Sequence, residues 1–106
     1  MPEYTVKRPT KAAPAHPGEL WREILDDHVK LPIAEAERRM KVSRQSLYEA
    51  LNGGKVTAEM ALRFGKLVGG DASLYVRMQA NCDLWQEQQK LGGKLRGIKT
   101  AELIDA

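Results

Sequence analysis

From Pro17 onward the apolar positions recur with a helical period. Leu20, Trp21, Ile24, Leu25 and His28 share one face. Glu19 and Glu23 stand near the start, where a helix dipole favours negative charge. Lys30-Leu31-Pro32 interrupts the pattern, and Pro32 suits the first position of a second helix bearing Ile33, Ala36 and Met40. After Val42, Ser43 is a good N-cap for a third helix that turns Leu47, Ala50 and Leu51 inward. Asn52-Gly53-Gly54 ends it by supplying left-handed conformations. Thr57 caps a fourth helix with the stripe Ala61, Phe64, Gly65 and Val68, which stops at Gly69-Gly70. Asp71 caps a fifth, whose Leu74, Met78, Cys82 and Trp85 share a sector expected to face the core. Val76, Ala80 and Leu84 fall on roughly its opposite side. A helix apolar on two faces is covered on two faces, and so small a domain has few elements left for the second. A partner chain covers it in this reading.

The expected fold class is therefore all-α, with five helices. Residues 1–15, with three prolines and no apolar periodicity, read as a flexible N-terminal arm. A short edge pairing at Tyr4-Thr5-Val6 is the only strand signal. Residues 16–91 form the domain, and residues 92–106, after Leu91, lose the pattern and read as a basic flexible tail.

Composition narrows the function. The 106 residues are one domain's worth, and 42% hydrophobic with 29% charged residues is a globular balance. A chain this short buries roughly 60–70% of its unfolded surface, enough for one small core and not for a second domain enclosing a cleft. That excludes large multi-domain enzymes. No membrane span or secretory leader is legible, so the expected location is the cytoplasm. Cys82 has no partner for an internal disulfide, and one cysteine with two isolated histidines makes no zinc site. Asp26 and Asp27 diverge on a helix and make no acid–base pair, and no phosphate loop or nucleophile–base set is present. Neither enzyme activity nor a metal or cofactor is expected.

The net charge of +3 resides in the ends. Lys7, Arg8 and Lys11 outweigh Glu3, and Lys90, Lys94, Arg96 and Lys99 outweigh Glu102 and Asp105, while residues 18–89 sum to −1. Within that middle, residues 38–55 hold Arg38, Arg39, Lys41, Arg44 and Lys55 against Glu49 alone, a local excess of four positive charges.

That basic strip coincides with a helix-turn-helix pattern. Only Lys41-Val42-Ser43 separates the second and third helices, and Ala36, Met40, Val42, Leu47 and Ala50 have the spacing such a crossing needs. The third helix then offers its outer face and N-terminus to a major groove. Arg44, Gln45, Tyr48 and Glu49 point outward, and the amides beside Ser43 suit a phosphate. Arginine donates two hydrogen bonds to guanine and glutamine pairs similarly with adenine. Arg44, Gln45 and Tyr48 are assigned to base readout, and Arg39, Ser43, Ser46, Asn52 and Lys55 to phosphates. Trp21 and Trp85 read as core anchors, His16 as a helix starter and His28 as half-buried.

His16-Pro17-Gly18-Glu19, Val42-Ser43-Arg44-Gln45, Leu51-Asn52-Gly53, the run from Thr57 to Arg63, and Asp83-Leu84-Trp85 together resemble HigA-type antitoxins, within the phage-repressor-like helix-turn-helix group. The resemblance spans residues 16 to about 90. It implies a five-helix phage-repressor-like domain that forms a homodimer, binds a palindromic operator in its own promoter, and neutralises a HigB toxin similar to RelE ribonucleases that cleave mRNA. The dimer interface is assigned to Val76, Ala80 and Leu84. The chain departs from the family pattern near Ile33, where a glutamine is usual, near Glu37, where a small residue is usual, and near Lys41, where glycine is usual. Lys41 is accordingly expected in a left-handed conformation, with an i,i+4 partner in Glu37. Two other readings stay open at this stage: a toxin-binding inhibitor with little DNA binding, and a phage-type repressor with no toxin partner.

Overall fold

A computed structural model describes residues 12–104 of the chain. The expected pairing at Tyr4-Thr5-Val6 lies outside the described residues. Helices α1 (Pro17–Glu23), α2 (Ile33–Met40), α3 (Arg44–Leu51), α4 (Ala58–Val68), α5 (Ala72–Leu91) and a single turn, α6 (Gly93–Arg96), follow in order, with no strand among the described residues. A five-residue π-helical segment, Ile24–His28, extends α1. Hydrophobic period alone does not separate a π turn from an α turn, so the sequence reads both as one helix.

The predicted caps form. Ser43 accepts from the Ser46 amide at the start of α3, Thr57 from Met60 at α4, and Asp71 from Ser73 at α5. Each satisfies one donor that a helix N-terminus leaves open. Pro32 sits at the N-cap of α2, one position earlier than its expected first helical residue. Lys41 ends α2 at φ 61, ψ 45, the left-handed conformation expected of it. Of Asn52, Gly53 and Gly54, Gly53 alone takes a positive φ; Gly54 is needed for a close approach, because a Cβ there would stand 2.7 Å from the Glu49 carbonyl oxygen.

The core is an aromatic triad surrounded by aliphatic side chains. Trp21 of α1 stacks on Phe64 of α4 at 4.2 Å between centroids and 10° between planes, and Tyr75 of α5 meets both rings edge-on. Leu25, Ala36, Met40, Leu47, Ala50, Leu51, Val56 and Ala61 complete the cluster. Burying a ring of this size contributes about 2–3 kcal/mol, so the triad binds α1, α4 and α5 into one body.

Helix α5 differs in rotation from the expectation. Its buried positions are Tyr75, Gln79 and Cys82, while Leu74 is exposed, Met78 is partly covered and Trp85 is half-buried outside the main cluster. The expected sector ranked side chains by apolarity alone. A tyrosine packed edge-on against aromatic rings and a glutamine with its amide satisfied can enter a core ahead of leucine. His28 is also corrected: it lies exposed, 3.8 Å from Glu23. At the N-terminal side, residues 14 and 15 are not free of the domain, because the Cys82 thiol donates to the carbonyls of Pro14 and Ala15 at 3.7 and 3.5 Å. Burial raises that thiol's pKa.

Among the described glycines, the closest approach is at Gly18, between α1 and the end of α3. A Cβ built on Gly18 would lie 2.2 Å from the Ala50 carbonyl oxygen and 3.0 Å from the Leu51 Cα. His16 holds the same junction: its Nδ1 accepts from the Gly18 amide and its Nε2 donates to the Gly54 carbonyl, each at 2.9 Å. Backbone cannot yield as a flexible side chain can. Gly18→Ala should therefore cost about 1–3 kcal/mol and lower the melting temperature by roughly 5–15 °C, and a calorimetric scan superimposable on wild type would refute this account of the junction.

Candidate nucleic-acid interface

Helices α1 and α2 pack behind α3 and leave its outer surface open. Leu47, Ala50 and Leu51 are buried, whereas Arg44, Gln45, Ser46, Tyr48 and Glu49 are exposed. The turn of the helix-turn-helix and the C-terminal end of α3 are each clamped by an arginine that sequence reading assigned no role. Arg63 of α4 donates from Nη1 to the Met40 carbonyl at 2.7 Å, while its Nε and Nη2 bond Glu59. Arg22 of α1 donates to the Leu51 carbonyl at 3.3 Å and to Asn52 Oδ1. Cationic donors at open helix C-terminal carbonyls complement the local dipole. The i,i+4 spacing of Glu59 and Arg63 was a legible signal for one of these; the reach of Arg22 across 29 residues was not.

The loop after α3 is fixed from α5. Gln79 Oε1 accepts from the Val56 amide at 2.8 Å, Gln79 Nε2 donates to Asp83 Oδ1 at 3.0 Å, and Lys55 Nζ reaches Asp83 Oδ2 at 3.1 Å. The buried Val56 amide is thus paired with a side chain, which offsets the roughly 1–3 kcal/mol cost of leaving such a donor unpaired.

Ser43, Gln45, Ser46, Tyr48, Asn52 and Lys55, all predicted site residues, line one concavity of about 1060 Å³ between α3, the loop and the start of α4. Ser43 Oγ also donates to Ser46 Oγ at 2.8 Å, and Gln45 Nε2 donates to Glu49 Oε2 at 3.4 Å. Tyr48 is 38% exposed. Arg39 and Arg44 stand outside this concavity. Arg39 is exposed on the last turn of α2. Arg44 turns toward α2, where its Nε donates to Glu37 Oε1 at 3.0 Å. Glu37 thus pairs across the turn with Arg44 rather than along α2 with Lys41. Hydrogen bonding first, then charge, raises the Arg44 pKa. On α2, Arg38 is taken up by Glu35 through a paired hydrogen bond and ion pair.

On α5, Val76 and Ala80 line a shallow recess together with Val56 and Ala58. Leu84 borders a different groove, beside Pro14 and Trp85. Val76 is 41% and Leu84 60% exposed, so the expected second apolar face of α5 is open along its length.

A left-handed turn between two short helices, a capped second helix held only from behind, and a basic outer rim define a phage-repressor-like helix-turn-helix domain. No family model matches the chain. It is 33% identical over 94 residues to virulence-associated protein A' of Dichelobacter nodosus, covering 87% of this chain and 81% of that protein. It superposes on an addiction module antidote protein of a HigA family from Coxiella burnetii with TM-score 0.76 at 26% identity, covering 86% of this chain and all of that one. It is similar as well to PA4674 of Pseudomonas aeruginosa, solved with its operator DNA, with TM-score 0.74 at 26% identity over 86% of this chain and 97% of that one. The chain belongs to the family of virulence-associated protein A' and has the fold of HigA-type helix-turn-helix antitoxins.

Asp83 gives the loop anchor a pH signature. Hydrogen bonds from Gln79 and then Lys55 hold its carboxyl below the ordinary range. A depressed folded pKa means that ionised Asp83 contributes stability above the unfolded value, about 3.9, and that this contribution is lost as pH falls through the lower folded value. Asp83→Asn should flatten the acid limb of a melting-temperature profile below about pH 4, and parallel limbs for variant and wild type would contradict the assignment.

Proposed function

We propose that the protein is an autoregulatory antitoxin. As a homodimer it binds a palindromic operator in its own promoter through α3, and it neutralises a HigB/RelE-like mRNA-cleaving toxin by direct contact in the cytoplasm. The observation that carries this reading is the outer face of α3: capped at Ser43, held at its C-terminal end by Arg22, and bordered by a concavity lined by Ser43, Gln45, Tyr48, Asn52 and Lys55. The operator complex of PA4674 supports DNA as the ligand of this fold, and the antidote relative from Coxiella supports the antitoxin role.

In this reading Arg44, Gln45 and Tyr48 contact base edges, while Arg39, Ser43, Ser46, Asn52 and Lys55 contact phosphates. Lys55 exchanges Asp83 for a phosphate, at little cost because the exposed pair is worth at most about 1 kcal/mol. The open stripe Val76, Ala80 and Leu84 forms the dimer contact. The dimer places two copies of α3 in successive major grooves about 34 Å apart. Residues 16–91 are the working domain, flanked by the arm at 1–15 and the basic tail at 92–106.

Two experiments test the reading. In selection from random duplexes, wild type should enrich a palindrome and shift it as a dimer; Arg44→Ala should lose about 1–3 kcal/mol and preference at one base, while Arg39→Ala should weaken all sequences alike and reduce the salt slope by about 1. Unchanged base preference in Arg44→Ala would remove it from the readout. Coexpression with the toxin reading frame of the same operon should give a stable complex and relieve growth arrest, and persistent arrest with no complex would leave a repressor without a toxin partner.

A further inference from the structure

The Glu37–Arg44 pair joins the end of α2 to the first residue of α3, across the turn. Glu37 is the better buried partner, with 18% of its side chain exposed against 68% for Arg44. A carboxylate held mainly within the protein is the fixed member of such a pair, and the arginine is the one positioned by it. The first turn of α3 contains no acidic residue, so Arg44 stands at a positive helix end without local compensation from its own helix. Glu37 supplies that compensation from α2.

The atom engaged decides what remains. A guanidinium offers its fork in two ways, side-on through Nε and one terminal nitrogen, or end-on through both terminal nitrogens. Among the described residues, the hydrogen bond to Glu37 uses Nε. The end-on pair, Nη1 and Nη2, is left for the O6 and N7 acceptors of a guanine.

We propose that Glu37 is a positioning residue for sequence readout, which fixes Arg44 by its Nε so that the two terminal nitrogens meet one guanine end-on. This rests on the DNA-binding reading above. It makes a carboxylate in a basic interface favourable for discrimination, although it lowers attraction for DNA in general. An acidic side chain next to phosphates weakens binding to every sequence; one that restrains a reading arginine penalises the wrong base more than the right one. The two effects have opposite signs in the ratio of operator to non-operator affinity.

The test compares full-length wild type, Glu37→Gln, Glu37→Met and Arg44→Ala on the selected operator and on the same duplex with the guanine read by Arg44 replaced by adenine. Glutamine keeps an oxygen acceptor without charge, and methionine keeps the packed stem without the acceptor. Wild type and Glu37→Gln should discriminate alike, whereas Glu37→Met should lose roughly tenfold, approaching Arg44→Ala, while binding non-operator DNA at least as tightly as wild type. Thermal melts of all three variants establish that they are folded. Equal discrimination by Glu37→Met and wild type overturns the positioning role and leaves operator binding intact. Failure of wild type to prefer any duplex overturns the DNA-binding reading, and the positioning role with it.

Discussion

The carbonyl oxygen of Ala50 leaves no room for a side chain at position 18, and the domain is organised around that contact. Because Gly18 lets α1 lie directly on the backbone of α3, His16 reaches the Gly54 carbonyl and Arg22 reaches the Leu51 carbonyl. The same placement delivers Trp21 to its stack on Phe64 and its edge contact with Tyr75. Backbone packing and aromatic packing thus act on one helix, which holds α3 by its inner edge while α4 holds the preceding turn through Arg63. The outer face takes no part in either.

Charge on that face is organised in pairs rather than as a field. The excess of four positive charges over residues 38–55 begins one residue after Glu37, which pairs with Arg44, and it omits Asp83, which pairs with Lys55. Glu59 likewise takes up Arg63 at the rim. Exposed pairs of this kind are individually weak. Together they lower the nonspecific attraction for polyanions that an unpaired strip of the same composition would have.

Local signals in the sequence were sufficient for most of the fold. Ser43, Thr57 and Asp71 cap where their side-chain oxygens and the following periodicity require, and the family departure at Lys41 points directly to its left-handed φ. The candidate face on α3 was equally legible, since residues three and four apart on one short helix must share a side. What the sequence left hidden depends on partners distant along the chain. Gln79 enters the core because Val56 supplies an amide 23 residues away, and no apolarity scale ranks it above Leu74. Glu37 was paired with Lys41 by spacing; the left-handed turn instead brings it to Arg44. Residues 14 and 15, without periodicity of their own, are placed by Cys82. The turn Gly93–Arg96 falls within a segment that the sequence marks only by glycine and positive charge.

The way α3 is held also bears on how this protein diversifies. Its inner edge is fixed by contacts to main-chain atoms at Ala50, Leu51 and Gly54, and main-chain atoms are the same whatever amino acids surround them. Exposed positions such as Gln45 and Tyr48 can therefore be exchanged without disturbing these contacts, so the surface that α3 presents can change while the architecture is kept. Gly18, with no side chain and no place on that outer surface, is the position that permits this freedom.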